Sequence, residues 1–288
     1  VIFIGIAVTA LMLSGVLDVG KDFMVQGANY LYALFCIFLL MLIMYLYFFF
    51  ECKELLMSAK SIALVFTILD VYLAISCLIG YNFAVFARPV ALVALLAFVL
   101  MGRRQAIFMN IISALLVFVI DTFAVEEVAN QECYSSLIIS FSAGMLAIFF
   151  ASFTKTRLRV VVIGLLIVVP IDIVIALLET PALLNGNIAG QETVWHRILT
   201  QMGYGLFGGV MSTVIFVAIL PVFEVAFNCL TAFRLRELTS SDAKILKRLK
   251  EQAPGTYNHS MVVAQLAEAS AAAIGENADY ARAAAMYH

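Results

Sequence analysis

Seven stretches of this chain are almost wholly apolar, and short polar segments separate them: Tyr30–Phe50, Ile62–Gly80, Phe83–Met101, Ala106–Ile120, Ser136–Phe153, Val160–Leu178 and Gly203–Phe223. A helix needs roughly 20 consecutive apolar residues to cross the hydrocarbon core of a bilayer. The pattern therefore predicts an all-α membrane protein built on a seven-helix transmembrane bundle. The third and fourth runs are the weakest. Ala87, Arg88 and Pro89 interrupt the third, and the fourth is short, so tilted, broken or partly re-entrant helices are expected there. The opening run, Val1–Leu17, is at the short limit. It reads as an eighth span or as the buried end of a domain lying upstream, and with a start on Val rather than Met the chain is expected to be a fragment.

Composition supports lipid as the main solvent. Hydrophobic residues make up 64% of the chain and charged residues 12%, against about half and about a quarter in soluble domains. The five cysteines, Cys36, Cys52, Cys77, Cys133 and Cys229, have no C-x-x-C spacing and read as small buried hydrophobes.

The net charge of −2 says little, but its distribution is informative. Seven spans put "ECKELLMSAK", "MGRRQ", "TKTRLR" and the tail after Phe223 on one side. These segments hold nearly all the Lys and Arg. The other side holds Lys21, Arg88 and Arg197, and the acidic loop with Asp121, Glu126, Glu127 and Glu132. Cytoplasmic loops collect basic residues, so the tail is expected in the cytoplasm and the residues before Tyr30 outside.

The tail changes character. "SSDAKILKRLKEQ" predicts an amphipathic helix capped by Ser240 or Ser241, with Ile245, Leu246 and Leu249 on one face. "APG" breaks it. A second helix is expected from about Tyr257 to Ile274, ending at Gly275, and a third from Asn277 to His288. Some 50 Ala-rich residues cannot build a sufficient core alone, so the tail reads as the start of a larger helical domain. His259 and His288 lie on consecutive helices, one ordinary way to build a metal site.

Here the residues become specific. The tail resembles bacterial seven-transmembrane proteins that carry a cytoplasmic HD-type phosphohydrolase domain. The resemblance runs through Ala253, Pro254, Gly255, Thr256, Tyr257, His259, Ser260, Val263, Leu266, Glu268 and Ala269. It continues through Ile274, Gly275, Asn277, Ala281, Arg282, Ala285, Tyr287 and His288. "LPVFE" and "LTAFRLREL" match the family's last span and its exit in general pattern.

The resemblance implies that His259 is the first metal-binding His and that His288 is the His of the HD pair, with its Asp directly following. It implies a divalent transition-metal cofactor, a manganese or iron pair, and hydrolysis of cyclic di-AMP to the linear dinucleotide. Such metals generate hydroxide at neutral pH and neutralise charge on a phosphodiester. With the later ligands outside this chain, the fragment alone is expected to be inactive. The resemblance also implies a bacterial inner-membrane location and an extracellular sensing domain upstream with a ligand of its own. Membrane lipid and a homodimer partner are further expectations. Arg282 is a candidate phosphate contact or, more simply, an ion-pair residue. Tyr257 and Thr256 are expected to shape the helix start. The implied organisation is an upstream domain end at 1–28, seven spans at 29–228, a connector helix at 229–252 and the beginning of the HD domain at 253–288.

Acidic residues also lie inside the runs: Asp70 in "FTILDVYL", Asp172 after Pro170, and Glu224 after Pro221. A charge at membrane depth is costly and faces the bundle interior, so each is a candidate for a ligand pocket, a signal relay or a packing contact. Pro170 and Pro221 free backbone carbonyls and can hinge a helix. Gly203, Gly205, Gly208 and Gly209 are expected to let the last span approach a neighbour closely. His196, beside Trp195, reads as an interfacial residue of an outer loop. Two alternatives stay open: a transporter or channel with a regulatory tail, and a receptor whose degenerate HD domain binds nucleotide without cleaving it.

Overall fold

A computed structural model describes residues 23–124, 130–154, 156–185 and 188–288. The Val1–Leu17 run, Lys21, Glu126 and Glu127 lie outside the described residues. Two compact units emerge, divided between Phe227 and Asn228. Among the described residues there is no strand.

In the first unit, α1 (Phe23–Glu51) and α3 (Ala59–Asn82) are joined by the short α2 (Lys53–Met57). A 3-10 turn (Val85–Ala87) and α4 (Leu92–Met101) follow, then α5 (Arg103–Ala124), α6 (Asn130–Ala151), α7 (Arg157–Asn185) and α8 (Ile188–Ala226). Six of these helices are long and apolar enough to cross a membrane: Leu31–Glu51, Ala59–Gly80, Arg103–Thr122, Glu132–Ala151, Arg157–Leu177 and Trp195–Ala226. The chain is thus a multi-pass, all-α membrane protein.

The third apolar run behaves differently from the others. Pro89 cannot donate a backbone hydrogen bond and biases the residue before it towards extended geometry, and Arg88 sits at ψ 146°. Helix resumes only at Leu92, leaving ten residues in α4, roughly 15 Å of rise. Val85 to Ala97 are buried almost completely. Non-helical backbone at membrane depth is tolerated where protein covers it. The fourth run corrects the expectation of a short element. Its helix extends past both apolar ends, from Arg103 to Ala124, and its span is the most buried of the six. It packs against α1, α4 and α6, while α7 packs along α8.

Two of the last span's glycines are needed for this packing. A Cβ on Gly208 would meet the Phe86 and Arg88 carbonyl oxygens at 2.8 and 2.7 Å, and one on Gly209 would meet the Gly164 carbonyl at 2.9 Å. Gly203, by contrast, faces open space, which corrects its expected role. His196 is also corrected: it lies within α8 rather than in a loop, with the Thr200 hydroxyl 3.3 Å from its Nδ1.

The second unit holds α9 (Ala232–Leu238), α10 (Lys244–Gln252), α11 (Pro254–Ala273) and α12 (Ala278–Met286). Asn228, at φ +52°, adopts the left-handed conformation just past the end of α8, a common helix stop.

Candidate functional site

The second unit brings the two tail histidines together through a small core. Leu246 of α10, Tyr257 and Ala264 of α11 and Met286 of α12 are buried against one another, with Leu249 and Met261 beside them. Ile245 is 66% exposed, so the expected three-residue apolar face narrows to Leu246 and Leu249. Neither serine caps α10. The helix starts at Lys244 with Ala243 as its N-cap, and the Ser240 hydroxyl accepts the Asp242 amide at 3.3 Å instead. The chain gains an extra turn on α11, because Pro254 occupies its first position, where a missing N–H costs nothing. Gly275 closes α11 at φ +79°. The Asn277 side chain caps α12 by accepting the Tyr280 amide at 3.0 Å.

These stops turn α12 back along α11. The His259 and His288 rings lie 6.3 Å apart between centroids, inclined at 57°. Both residues are exposed. Neutral imidazoles suit first-row transition metals, so the donor type fits such an ion. The donor number is incomplete: no group of three His, Cys, Asp or Glu residues stands together among the described residues. Arg282 donates to Glu268 at 2.5 Å, tying α12 to α11. Asp279 accepts from Arg236 through a two-pronged contact, 3.0 Å from both Nε and Nη2. The Tyr287 hydroxyl donates to the Leu238 carbonyl at 2.7 Å. The helix that precedes His288 is therefore bolted to α9 at both ends.

The acidic residues of the spans sit on different helices, Asp70 on α3, Asp172 on α7 and Glu224 on α8. Glu224 accepts from Arg157 at 2.7 Å, with only 6% of its side chain exposed. One carboxylate oxygen of Asp70 and one of Asp172 are buried without a hydrogen-bond partner. The first is on α3. The second lies beside Gly205 of α8, whose added Cβ would meet it at 3.1 Å.

The strongest polar feature was missed by sequence reasoning. Arg88, read as interrupting the third run and counted with the outer side, is 4% exposed, and Asp121, counted with the outer acidic loop, is 1% exposed. Arg88 donates to both Asp121 oxygens at 2.5 and 2.8 Å and to the Ser76 carbonyl at 3.2 Å. This fork joins α3, the broken third segment and α5. The available signal was one cation in the third apolar run and one anion at the end of the fourth, each without a local counter-charge.

Together these features define a polytopic helical membrane protein continuing into a polar helical unit that carries paired histidines. The family described as 7TM receptor with intracellular HD hydrolase matches residues 28–231, and the chain belongs to that family. The cyclic-di-AMP phosphodiesterase PgpH of Bacillus subtilis is 32% identical over 209 residues, covering 72% of this chain and 28% of that protein. The protein of the same name from Listeria monocytogenes is 43% identical over 90 residues, 31% of this chain and 12% of that one. An uncharacterized Synechocystis protein is 30% identical over 170 residues, 59% of this chain and 20% of its own length. The chain thus spans less than a third of each of these relatives. No solved structure matches.

Proposed function

We propose that this chain is the membrane region and the opening of the catalytic domain of a metal-dependent cyclic di-AMP phosphodiesterase. The observation that carries the reading is the approach of His259 and His288 to 6.3 Å, on two helices whose ends are set by Pro254, Gly275 and Asn277. The PgpH relatives support the substrate. His259 and His288 would supply two ligands to a manganese or iron pair, and carboxylate or imidazole groups from the rest of the longer protein would complete the set. Bound metals supply hydroxide and neutralise charge on the phosphodiester. Arg282 is engaged by Glu268, so a phosphate contact would require exchange of that partner.

The organisation proposed is an upstream extracellular end at 1–28, the membrane region at 29–228, a connector at 229–252 and the HD domain from 253. The basic loops favour a cytoplasmic tail in a bacterial inner membrane. An external ligand, relayed through the spans with Asp70, Asp172 and Glu224 as candidate elements, would govern hydrolysis, in a single chain or a homodimer.

The test is manganese-dependent hydrolysis of cyclic di-AMP by the complete protein in membranes, with cyclic di-GMP as the control. Turnover of cyclic di-AMP that is abolished by His259→Ala, with the protein still folded, is the expected outcome. An inactive complete protein, loaded with metal, would refute the enzymatic reading and favour a transporter or a nucleotide-binding receptor.

A further inference from the structure

We infer that a cavity between the ends of α1 and α3 nearest Lys53 binds the acyl chain of an anionic phospholipid, with Lys53 and Lys60 at its headgroup end. The cavity measures about 520 Å³, within the range of about 300–1,000 Å³ typical of ligand pockets. Tyr47 of α1 stacks on Phe108 of α5 at 3.7 Å, and Phe48 meets the same ring edge-on at 6.0 Å. α3 packs on the 3-10 turn, α4 and α5. The cavity lies where α2 joins the two helices.

The walls are Met41, Met44 and Phe48 on one side and Ile62, Val65 and Phe66 on the other, with Leu55 and Leu56 of α2 at the end. Water needs two or more polar partners to occupy a site, and this lining offers few: Ser61, the Tyr45 hydroxyl and Lys53. The occupant it suits is a flexible hydrocarbon chain, and methionines adapt to such an irregular shape. The surrounding helices expose Leu39, Leu42, Leu46 and Phe50, so lipid is the adjacent solvent.

The charges select the headgroup. The Lys53 ammonium rests 5.4 Å from the Phe49 ring centroid, and Lys60 is exposed in the first turn of α3. Between Glu51 and Lys60, and at Arg103 and Arg104, cations outnumber carboxylates by four to two. One of those carboxylates, Glu51, lies 3.5 Å from Arg104. Basic clusters at the membrane surface attract anionic headgroups. Lipid binding here is independent of which side of the membrane Lys53 faces and of hydrolytic activity.

The experiment uses the full chain in phosphatidylcholine vesicles containing a minor fraction of phosphatidylglycerol with a diazirine on its acyl chain. After irradiation, labelled peptides are mapped by mass spectrometry. Label concentrated on residues 41–66, several-fold above that from phosphatidylcholine with the same chain, is expected. Lys53→Gln with Lys60→Gln should reduce labelling to the phosphatidylcholine level, and Val65→Trp should remove it from the cavity while the exposed face of α7 at Leu165 and Val169 stays labelled. Label spread evenly over all lipid-facing helices would overturn the site. Equal labelling by both lipids would overturn the headgroup assignment. The wild-type map decides even if a variant fails to fold.

Discussion

At the scale of single residues, Arg88 and Asp121 carry the largest electrostatic stake in the membrane unit. Both are almost fully buried and paired by two hydrogen bonds. Breaking a buried pair by removing one partner costs about 3–5 kcal/mol, because the other charge stays uncompensated. Asp121→Asn should therefore lower thermal stability in detergent sharply, and Arg88→Met in the same chain should recover much of the loss. Additive losses in the double variant would contradict this coupling. The glycines offer a second residue-scale test. Gly208→Ala would drive a Cβ into backbone carbonyls that cannot swing aside, at a cost of about 1–3 kcal/mol. Gly203→Ala has open space and should leave the melting temperature unchanged or slightly raised.

At the scale of elements, the informative positions are stops and starts. Asn277→Ala removes the side chain that caps α12 and should cost about 1 kcal/mol, read as earlier unfolding of the tail by circular dichroism. Much of this was legible beforehand. Asn277 and Gly275 behave as their residue types require, since capping and left-handed geometry are decided within a few residues. The broken third helix was also legible, because Pro89 acts locally. The start of α10 was not: Ser240 found a neighbouring amide, and Ala243 took the cap position. Nor was the exposure of Ile245, which depends on where α11 and α12 lie. The length of α5 was hidden for a similar reason. Its end at Asp121 is polar in sequence, and only its partner Arg88 makes it compatible with burial.

At the scale of the whole molecule, the alternation of basic loops makes a topological prediction. With native cysteines replaced by alanine, Lys60→Cys and Arg197→Cys should react with a membrane-impermeant maleimide from opposite sides of sealed vesicles. Labelling of both from one side would reject the seven-span parity. The paired histidines were legible as residues, yet their 6.3 Å approach depends on α12 folding back along α11. The cavity beside Lys53 had no linear signature at all, because its walls belong to three helices that only the fold brings together.

The half-length α4 has a consequence for how this protein is made. Ten residues are too few to enter a bilayer as an independent span, and the segment leading into them carries Arg88. An arginine that enters the bilayer core without a partner is costly. Its carboxylate partner is encoded 33 residues later. The third segment is therefore expected to stay out of the bilayer in a chain ended after Met101 and to insert once the chain extends past Asp121, read by a glycosylation-based insertion assay; insertion of both would reject this order. Synthesis order and charge pairing would then form a single assembly step.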